Sequence, residues 1–357
     1  MEVLHCVKVE KERGEEVRRA LKHHKLLRAD ARIRSNAQFI YLPLIRAPEE
    51  AEKGKFGVVS TRAFDLLEQR RSIEDLVGFK PSYERIGDLA VLTDAIDEAN
   101  EQRAAAALMR LHKSIKVVAK RSSPVEGVYR KRKMKIIAGE SRTETMHREN
   151  GCTYKLDLEN VYFNPRLASE RNRVVSQVAR SGRAEEIIDM FAGVGSFAVQ
   201  IAKRARQSHV TALDINPDAI RYLRENIKLN GVGNVEAVEG DVRAVCVKFP
   251  RKADRIVMNL PKSAYLFLTE ALGMLNPEGG ILHFYDVESA YSDARGERRK
   301  VVDSAIDKAK EKLIAGIKEA GEREHALEIR EARKVKPYAP YAYIIAIDAV
   351  VSGTGVY

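Results

Sequence analysis

Four apolar runs in the C-terminal half of the chain stop at residues that can hold a small polar ligand. EEIIDMFAGVG leads into Gly193 and Gly195, HVTALDIN carries Asp214, VEAVEGDV carries Asp241, and RIVMNLP carries Asn259 and Pro261. Glycines after a strand permit a sharp turn and let backbone N–H groups at a helix N-terminus approach a ligand. An acid ending the next strand, Asp214, can accept hydrogen bonds from two ribose hydroxyls. Asp241 can accept from an adenine amino group while the Val242 N–H donates. The glycines do not follow the G-x-G-x-x-G spacing of dinucleotide binding, since Ala198 stands where the third glycine would be sought. Taken singly, the glycines read as a bare turn and the acids as helix N-caps. As an ordered series at successive strand ends, they point to a nucleoside-type ligand on the edge of an open α/β sheet. Asn259 and Pro261 add a second chemistry: an amide can bond the edge of a planar ring, and a proline stiffens the loop that holds it.

Residues 158–357 alternate strand-like and helix-like runs, which predicts a mainly parallel sheet with helices on both faces. PDAIRYLRENIKLN reads as a helix with Pro217 in its first turn. The charged run 292–325 reads as a solvated helix. Two small α+β modules come first. In residues 1–65, VLHCVKVE, FIYLPLI and FGVVST read as strands around the helix EEVRRALKHHKLL. Residues 66–79 read as a helical linker. In residues 80–157, IGDLAVLT, IKVVAKRSS, YRKRKMKIIAG, ETMHREN and CTYKLDL surround the helix EANEQRAAAALMRLHKS.

The 357-residue chain carries a formal net charge of +11. Residues 101–150 hold 13 Lys and Arg against 5 Asp and Glu, so most of the surplus lies in one segment. Clustered cations are the footprint of a nucleic-acid partner, because they neutralise phosphates and release counterions. The abundance of Lys, Arg and Glu also fits a heat-adapted protein. No run of 18 or more apolar residues predicts a membrane span, and the N-terminus lacks a secretory h-region. Cys6, Cys152 and Cys246 form no CxxC pair, which argues against a zinc site or a disulfide framework and for a cytoplasmic protein. No metal-ligand cluster is seen. His23, His24 and His147 read as surface or packing residues. Tyr129 reads as structural or as a base-stacking ring, and Lys262 as a phosphate contact or a helix cap.

The ordered strand ends resemble the class I S-adenosylmethionine-dependent methyltransferases. Asn-Leu-Pro at 259–261 has the form of their N-x-P motif, found in enzymes that methylate planar nitrogens. Here the fourth residue is Lys262 rather than a stacking aromatic, which counts against a DNA adenine enzyme. NVYFNPRLASER, DMFAGVG, LDIN, MNLPK and KPYAPYAYIIAID together resemble the archaeal and eukaryotic tRNA (guanine-37 N1)-methyltransferases over essentially the whole chain. The resemblance implies a small tRNA-shape-sensing module, a basic RNA-contacting module and a Rossmann-type catalytic domain with a seven-stranded sheet. It also implies S-adenosylmethionine as cofactor and tRNA as partner, with no obligate protein partner evident and a monomer expected.

The chemistry of that reaction can be argued from the base itself. Guanine N1 carries a proton at neutral pH, so a base must remove it as the methyl group arrives, and negative charge then builds on O6. By the resemblance, Glu170 is that base and Arg130 stabilises O6. Asn259 and Pro261 position the guanine. Arg171, Phe191, Gly193, Asp214, Ile215, Asp241, Val242 and Asn259 line the cofactor site. On the residues alone, Glu170 reads as an exposed first-turn acid favoured by the helix dipole, and Arg130 as a phosphate contact. The neighbouring alternative is a wyosine-pathway enzyme acting on the modified base at position 37. Tyr338 and Pro340 match a family segment that serves RNA, cofactor or core packing.

Overall fold

The computed structural model describes residues 1–49, 52, 54–66, 72–93, 96–289, 298–320 and 325–353. It falls into two compact units, Met1–Leu76 and Val77–Tyr357.

In the first unit, β1 (Glu2–Glu10) leads into α1 (Gly14–His23). It is followed by β2 (Arg34–Ser35), β3 (Phe39–Pro43) and β4 (Val58–Phe64). The sheet order is β2-β3-β1-β4, and β1 is antiparallel to both of its neighbours. Val7, Val9, Val17, Leu21, Leu26, Leu42 and Leu44 fill one core, as alternation in a half-buried strand and i, i+4 spacing in the helix demand. These are the strands and the helix expected for residues 1–65. The linker reading falls partly on residues 67–71, outside the described set; α2 (Ile73–Val77) follows them.

The second unit opens with β5 (Tyr83–Ile86), β6 (Leu89–Leu92), α3 (Glu98–Leu111), β7 (Val117–Arg121) and β8 (Met134–Gly139). Their sheet order is β5-β6-β7-β8. Asp97 caps α3 by accepting from the Asn100 N–H at 2.9 Å. A separate hairpin, β9 (Glu144–Glu149) and β10 (Cys152–Asp157), comes next.

The hairpin is held by the helix of a strand–helix unit further on. After α4 (Ala168–Ser181), β11 (Glu186–Asp189), α5 (Ala198–Arg204) and β12 (His209–Asp214) comes α6 (Pro217–Asn230). Asn226 and Asn230 of α6 pair with the β10 backbone like a missing strand. Asn226 Oδ1 accepts from the Lys155 N–H at 2.7 Å, and Asn230 Oδ1 accepts from the Thr153 N–H at 2.9 Å. The two amide groups return bonds to the same residues' carbonyls at 3.1 and 2.7 Å. Each such bond contributes about 1 kcal/mol net, and more is lost if a buried partner is left unmet.

The remaining elements are β13 (Val235–Glu239), α7 (Val242–Val245), β14 (Arg255–Met258), α8 (Leu268–Met274) and β15 (Gly280–Ser289). They close with α9 (Arg298–Ala320), β16 (His325–Ala339) and β17 (Ala342–Gly353). The seven-stranded order is β13-β12-β11-β14-β15-β17-β16. The first five strands are parallel, and β17 runs antiparallel to both β15 and β16. This is the mainly parallel sheet expected from the β–α alternation. Pro217 occupies the first turn of α6, behind the cap Asn216. The helix expected across the charged run is α9, with Ala305, Ala309, Leu313 and Ile317 buried on one face; residues 292–297 and 321–324 lie outside the described set. The long charged strand β16 was not expected.

Candidate active site

Strand order reverses between β11 and β14, and in open α/β sheets ligands bind at the carboxyl ends of the strands beside such a point. After β11 the chain turns through Gly193 (φ +55°) and Gly195 (φ +87°). A Cβ on Gly195 would sit 2.3 Å from Leu223 Cδ1 and 3.1 Å from Val199 Cγ2, so only glycine lets this turn lie against α6. At the end of β12, Asp214 Oδ2 accepts from the Gly193 N–H at 2.7 Å and Oδ1 from the Asn216 N–H at 2.9 Å. Burial pushes the Asp214 carboxyl up, opposed by those N–H groups and by the Arg130 guanidinium. Half-buried Ile215 follows. After β13, Asp241 Oδ1 accepts from the Arg243 N–H at 2.9 Å and caps α7, while Val242 is buried. Phe191 packs edge-on against Phe267, ring centroids 5.1 Å apart.

β14 is followed directly by Asn259, whose Oδ1 is buried with no hydrogen-bond partner among the described residues. Such a group costs about 1–3 kcal/mol until something donates to it. Pro261 lies in the following turn, closed by the Ser263 N–H donating to the Leu260 carbonyl at 3.0 Å. Lys262 takes φ +86°, with its ammonium 4.8 Å from the Tyr338 ring centroid. Among the described residues, neither carboxylate oxygen of Asp189, at the end of β11, has a hydrogen-bond partner within bonding geometry. Burial pushes this carboxyl up to about 7, against the opposing N–H groups of Phe191 and Ala198.

The loop between β7 and β8 reaches this edge. Asn216 Nδ2 donates to the Tyr129 carbonyl at 3.1 Å and to the Asn160 carbonyl at 2.8 Å. Lys131 pairs with Asp218 at 2.7 Å. Between these ties, Arg130 (φ +55°) stacks its guanidinium 4.2 Å from the Tyr162 ring centroid, and its buried Nε has no hydrogen-bond partner among the described residues. The loop that carries Arg130 is thus docked on the β12–α6 turn.

Glu170 is 2% exposed, so the reading of an exposed first-turn acid gives way too. Its Oε1 accepts from the Tyr285 hydroxyl at 2.7 Å and from Arg173 at 2.8 Å, and the Arg333 guanidinium lies against Oε2. The β14–β15 register sets Met258 beside Phe284. Tyr285 therefore stands level with Asn259, which places its partner Glu170 near the same strand ends.

Arg171, the next residue, is also buried. It forms a two-pronged pair with Glu149 at 2.6 and 2.5 Å and donates to the Asn164 carbonyl at 3.0 Å. Gln200 donates to the same Glu149 at 2.9 Å. Arg171 thus ties the β9–β10 hairpin to α4, and no bound cofactor is needed to account for its placement.

Sequence reasoning missed Asn216, Tyr285, Arg173, Asp348 and Arg333. A signal existed for two of the strands: His283 in GGILHFYDV and Asp348 in YAYIIAIDAVV are titratable residues inside otherwise apolar runs.

An adenosyl group fits this edge. Two left-handed glycines clear the approach, two acids end neighbouring strands, and Asn259 Oδ1 awaits a donor. With the reversal of strand order, that makes the C-terminal part of the chain a class I S-adenosylmethionine-dependent methyltransferase domain. Residues 145–314 match the TRM5/TYW2 methyltransferase domain, 6–52 the tRNA methyltransferase 5 N-terminal domain and 64–143 the TYW2 N-terminal domain. The chain is 39% identical to tRNA (guanine(37)-N(1))-methyltransferase Trm5b of Pyrococcus abyssi, over 97% of this chain and 99% of the relative. The crystal structure of that relative superposes with a TM-score of 0.69 at 34% identity, covering 98% of this chain and 99% of the other. A complex of aTrm5 with tRNALeu superposes at 0.62 with 32% identity, over 97% and 99% of the two chains. The tRNA(Phe) (4-demethylwyosine(37)-C(7)) aminocarboxypropyltransferase of Methanocaldococcus jannaschii is 30% identical, over 75% of this chain and 96% of the relative. The chain belongs to the Trm5 family of tRNA (guanine(37)-N1)-methyltransferases.

Proposed function

We infer that the chain methylates N1 of guanosine 37 in tRNA, using S-adenosylmethionine. Family membership supports the reaction. The observation that carries the site reading is the docking of the Arg130 loop on the β12–α6 turn, which brings the basic module and the cofactor edge to one place.

Gly193, Asp214, Ile215, Asp241, Val242 and Phe191 are the residues proposed to hold the adenosine part of the cofactor, with Arg171 supporting the wall behind them. When bound, S-adenosylmethionine supplies an electrophilic methyl group. Asn259 and Pro261 hold the guanine edge, and Tyr162 sits beneath Arg130 as a second wall. Glu170 takes the N1 proton. In the RNA-free chain Arg333 lies against Glu170 Oε2, so the guanine N1–H replaces this cation when the base enters. Arg130, with its free Nε, stabilises the charge that develops on O6.

The three-part organisation 1–65, 80–157 and 158–357, with a linker at 66–79, belongs to the same proposal, as do action as a monomer and a cytoplasmic setting. No described helix is long and apolar enough to cross a membrane.

The test is mass analysis of nucleosides after incubation with cofactor and two transcripts, bearing guanosine or 4-demethylwyosine at position 37. N1-methylguanosine from the first supports the assignment. Reaction confined to the second assigns the chain to the wyosine-pathway alternative. Glu170→Gln is expected to lower single-turnover transfer by about a thousandfold while cofactor binding persists; near-normal turnover removes Glu170 from the mechanism.

A further inference from the structure

We propose that Arg173, clamped by Asp348 and His283, is a positioning residue that aims the Glu170 carboxylate and sets its strength as a base. The proposal rests on Glu170 being the base. What it adds is a buried line of side chains that runs across the sheet and ends on that carboxylate.

The line can be followed atom by atom. Glu185 accepts from Arg255 at 2.7 and 3.2 Å. Arg255 Nη1 lies 2.8 Å from His283 Nε2, and His283 Nδ1 lies 2.7 Å from Asp348 Oδ1. Because a guanidinium can only donate, Nε2 must accept, so the proton sits on Nδ1 and is donated to Asp348. Asp348 Oδ1 also accepts from Arg173 Nη2 at 2.9 Å, and Gln177 donates to Oδ2 at 2.8 Å. The same Arg173 Nη2 reaches Glu170 Oε1 at 2.8 Å. One guanidinium nitrogen is therefore shared between the proposed base and a second carboxylate.

Stability does not explain this line. Placing several charges in a core costs desolvation that their attraction at best returns, and well-packed apolar residues stabilise as much or more. Orientation does explain it. Arg173 has a geometry fixed from behind by Asp348, and the Tyr285 hydroxyl fixes the same Glu170 oxygen from β15. Arg173 Nε reaches Oε1 and Oε2 equally, at 3.3 Å, so Oε2, which faces Arg333 of β16 and lacks the two shorter bonds, is the oxygen better able to exchange partners. Glu185, Asp348 and Glu170 oppose Arg255, Arg173 and Arg333, with His283 neutral between them, and the half-exposed Glu331 pairs with both Arg173 and Arg333 at the rim.

The charged and titratable groups around Glu170 are Arg173 on its own helix, Tyr285 on β15 and Arg333 on β16. Behind Arg173 stand Asp348 on β17 and Glu331 on β16. His283, Arg255 and Glu185 lie further along, and Asp189 on β11 acts on Tyr285. Burial alone would raise Asp348, but the His283 and Arg173 bonds hold it far below the usual carboxylate range. Burial keeps His283 low despite Asp348 beside it. Asp348 therefore stays charged and His283 neutral through the working range.

The experiment is the pH dependence of single-turnover methylation of a transcript bearing guanosine 37, with full-length chain and saturating S-adenosylmethionine. Asp348→Asn removes an anion behind Arg173, so the full cation falls on Glu170. Expected are a maximal rate lowered about tenfold or more and an acid limb moved about one unit to lower pH. Arg173→Gln removes the cation, so the acid limb moves to higher pH, and Arg173→Lys returns it near the parent position. Cofactor affinity, read by calorimetry, is expected to stay within about threefold in all three, less than the ~1.4 kcal/mol of a tenfold change. Opposite shifts in Asp348→Asn and Arg173→Gln support the proposal; no shift, or shifts of the same sign, overturn it. If Asp348→Asn does not fold, the two Arg173 variants decide: an upward shift in Gln that Lys reverses supports it, and any other pattern overturns it. Glu170→Gln is measured alongside. Near-parent turnover there means that the base assignment itself has failed, whereas an inactive Glu170→Gln with unshifted Arg173 and Asp348 variants means that only the positioning role has.

Discussion

Two clusters of the seven-stranded sheet treat polar groups in opposite ways. At the carboxyl ends of β11 and β14 they are left short of partners: Asp189, Asn259 Oδ1 and the nearby Arg130 Nε are buried without a hydrogen bond among the described residues. In the cluster behind β15 and β17, by contrast, Glu170, Arg173, His283 and Asp348 share one continuous line of partners. An unmet buried donor or acceptor raises the energy of the free protein and is relieved when a ligand arrives. A saturated buried charge does the reverse: it is held still until something displaces a partner. The contrast separates a surface prepared to receive a molecule from a group kept in reserve for a reaction.

The contrast can be broken most severely from the saturated side. Arg255→Ala leaves Glu185 and His283 buried without their cation, so a loss of about 3–5 kcal/mol in unfolding free energy is expected by denaturant titration. A loss under about 1 kcal/mol would mean that the line is loosely held. On the other side, the buried Asp189 is expected to make stability depend on pH. Its ordinary pKa is 3.8 and burial lifts it to about 7. The folded state then holds a proton that the unfolded state releases between those values, so stability falls as pH rises through that window. A shift of about three units corresponds to at most about 4 kcal/mol. Asp189→Asn is expected to flatten the slope of unfolding free energy between about pH 4 and pH 7, and an unchanged slope would remove Asp189 as its source.

A smaller effect sharpens the comparison at the receiving edge. Asp214→Asn keeps an acceptor but loses the charge, so cofactor affinity is expected to weaken about tenfold, near 1.4 kcal/mol, by calorimetry. Unfolding free energy should change less than in Arg255→Ala. Smallest of all, Asp241→Ala removes the cap of a single-turn helix and is expected to cost about 1 kcal/mol of stability. If Asp241→Ala weakens the cofactor far more than it weakens the fold, Asp241 is a ligand as well as a cap.

The alternating runs from β11 to β15 were legible in the sequence because apolar residues, glycine turns and capped helices repeat there with little interference. So were the acids that end β12 and β13, since a charged residue at the end of an apolar run has few other reasons to be there. β16 escaped because HALEIREARKVKPYA is charged along nearly its whole length. An edge strand can carry such side chains, and they protect it from unwanted pairing, but they erase the pattern that marks a strand. The hairpin β9–β10 was legible as two strands, whereas its docking through Asn226 and Asn230 of α6 was not, because asparagines inside a helix carry no marker of what they bond. The line through Arg173 was the least visible. Its members come from residues 173, 255, 283 and 348, and only the folded register of β14, β15 and β17 brings them into one row.

Asn216 has a role beyond capping α6. Its backbone N–H holds Asp214, and its side-chain amide holds the carbonyls of Tyr129 and Asn160. One residue thus joins the acid proposed to meet the ribose to the loop that carries Arg130. Two ligands that share such a turn are bound by reciprocity: whatever free energy the cofactor lends to seating the RNA, the RNA must lend equally to holding the cofactor.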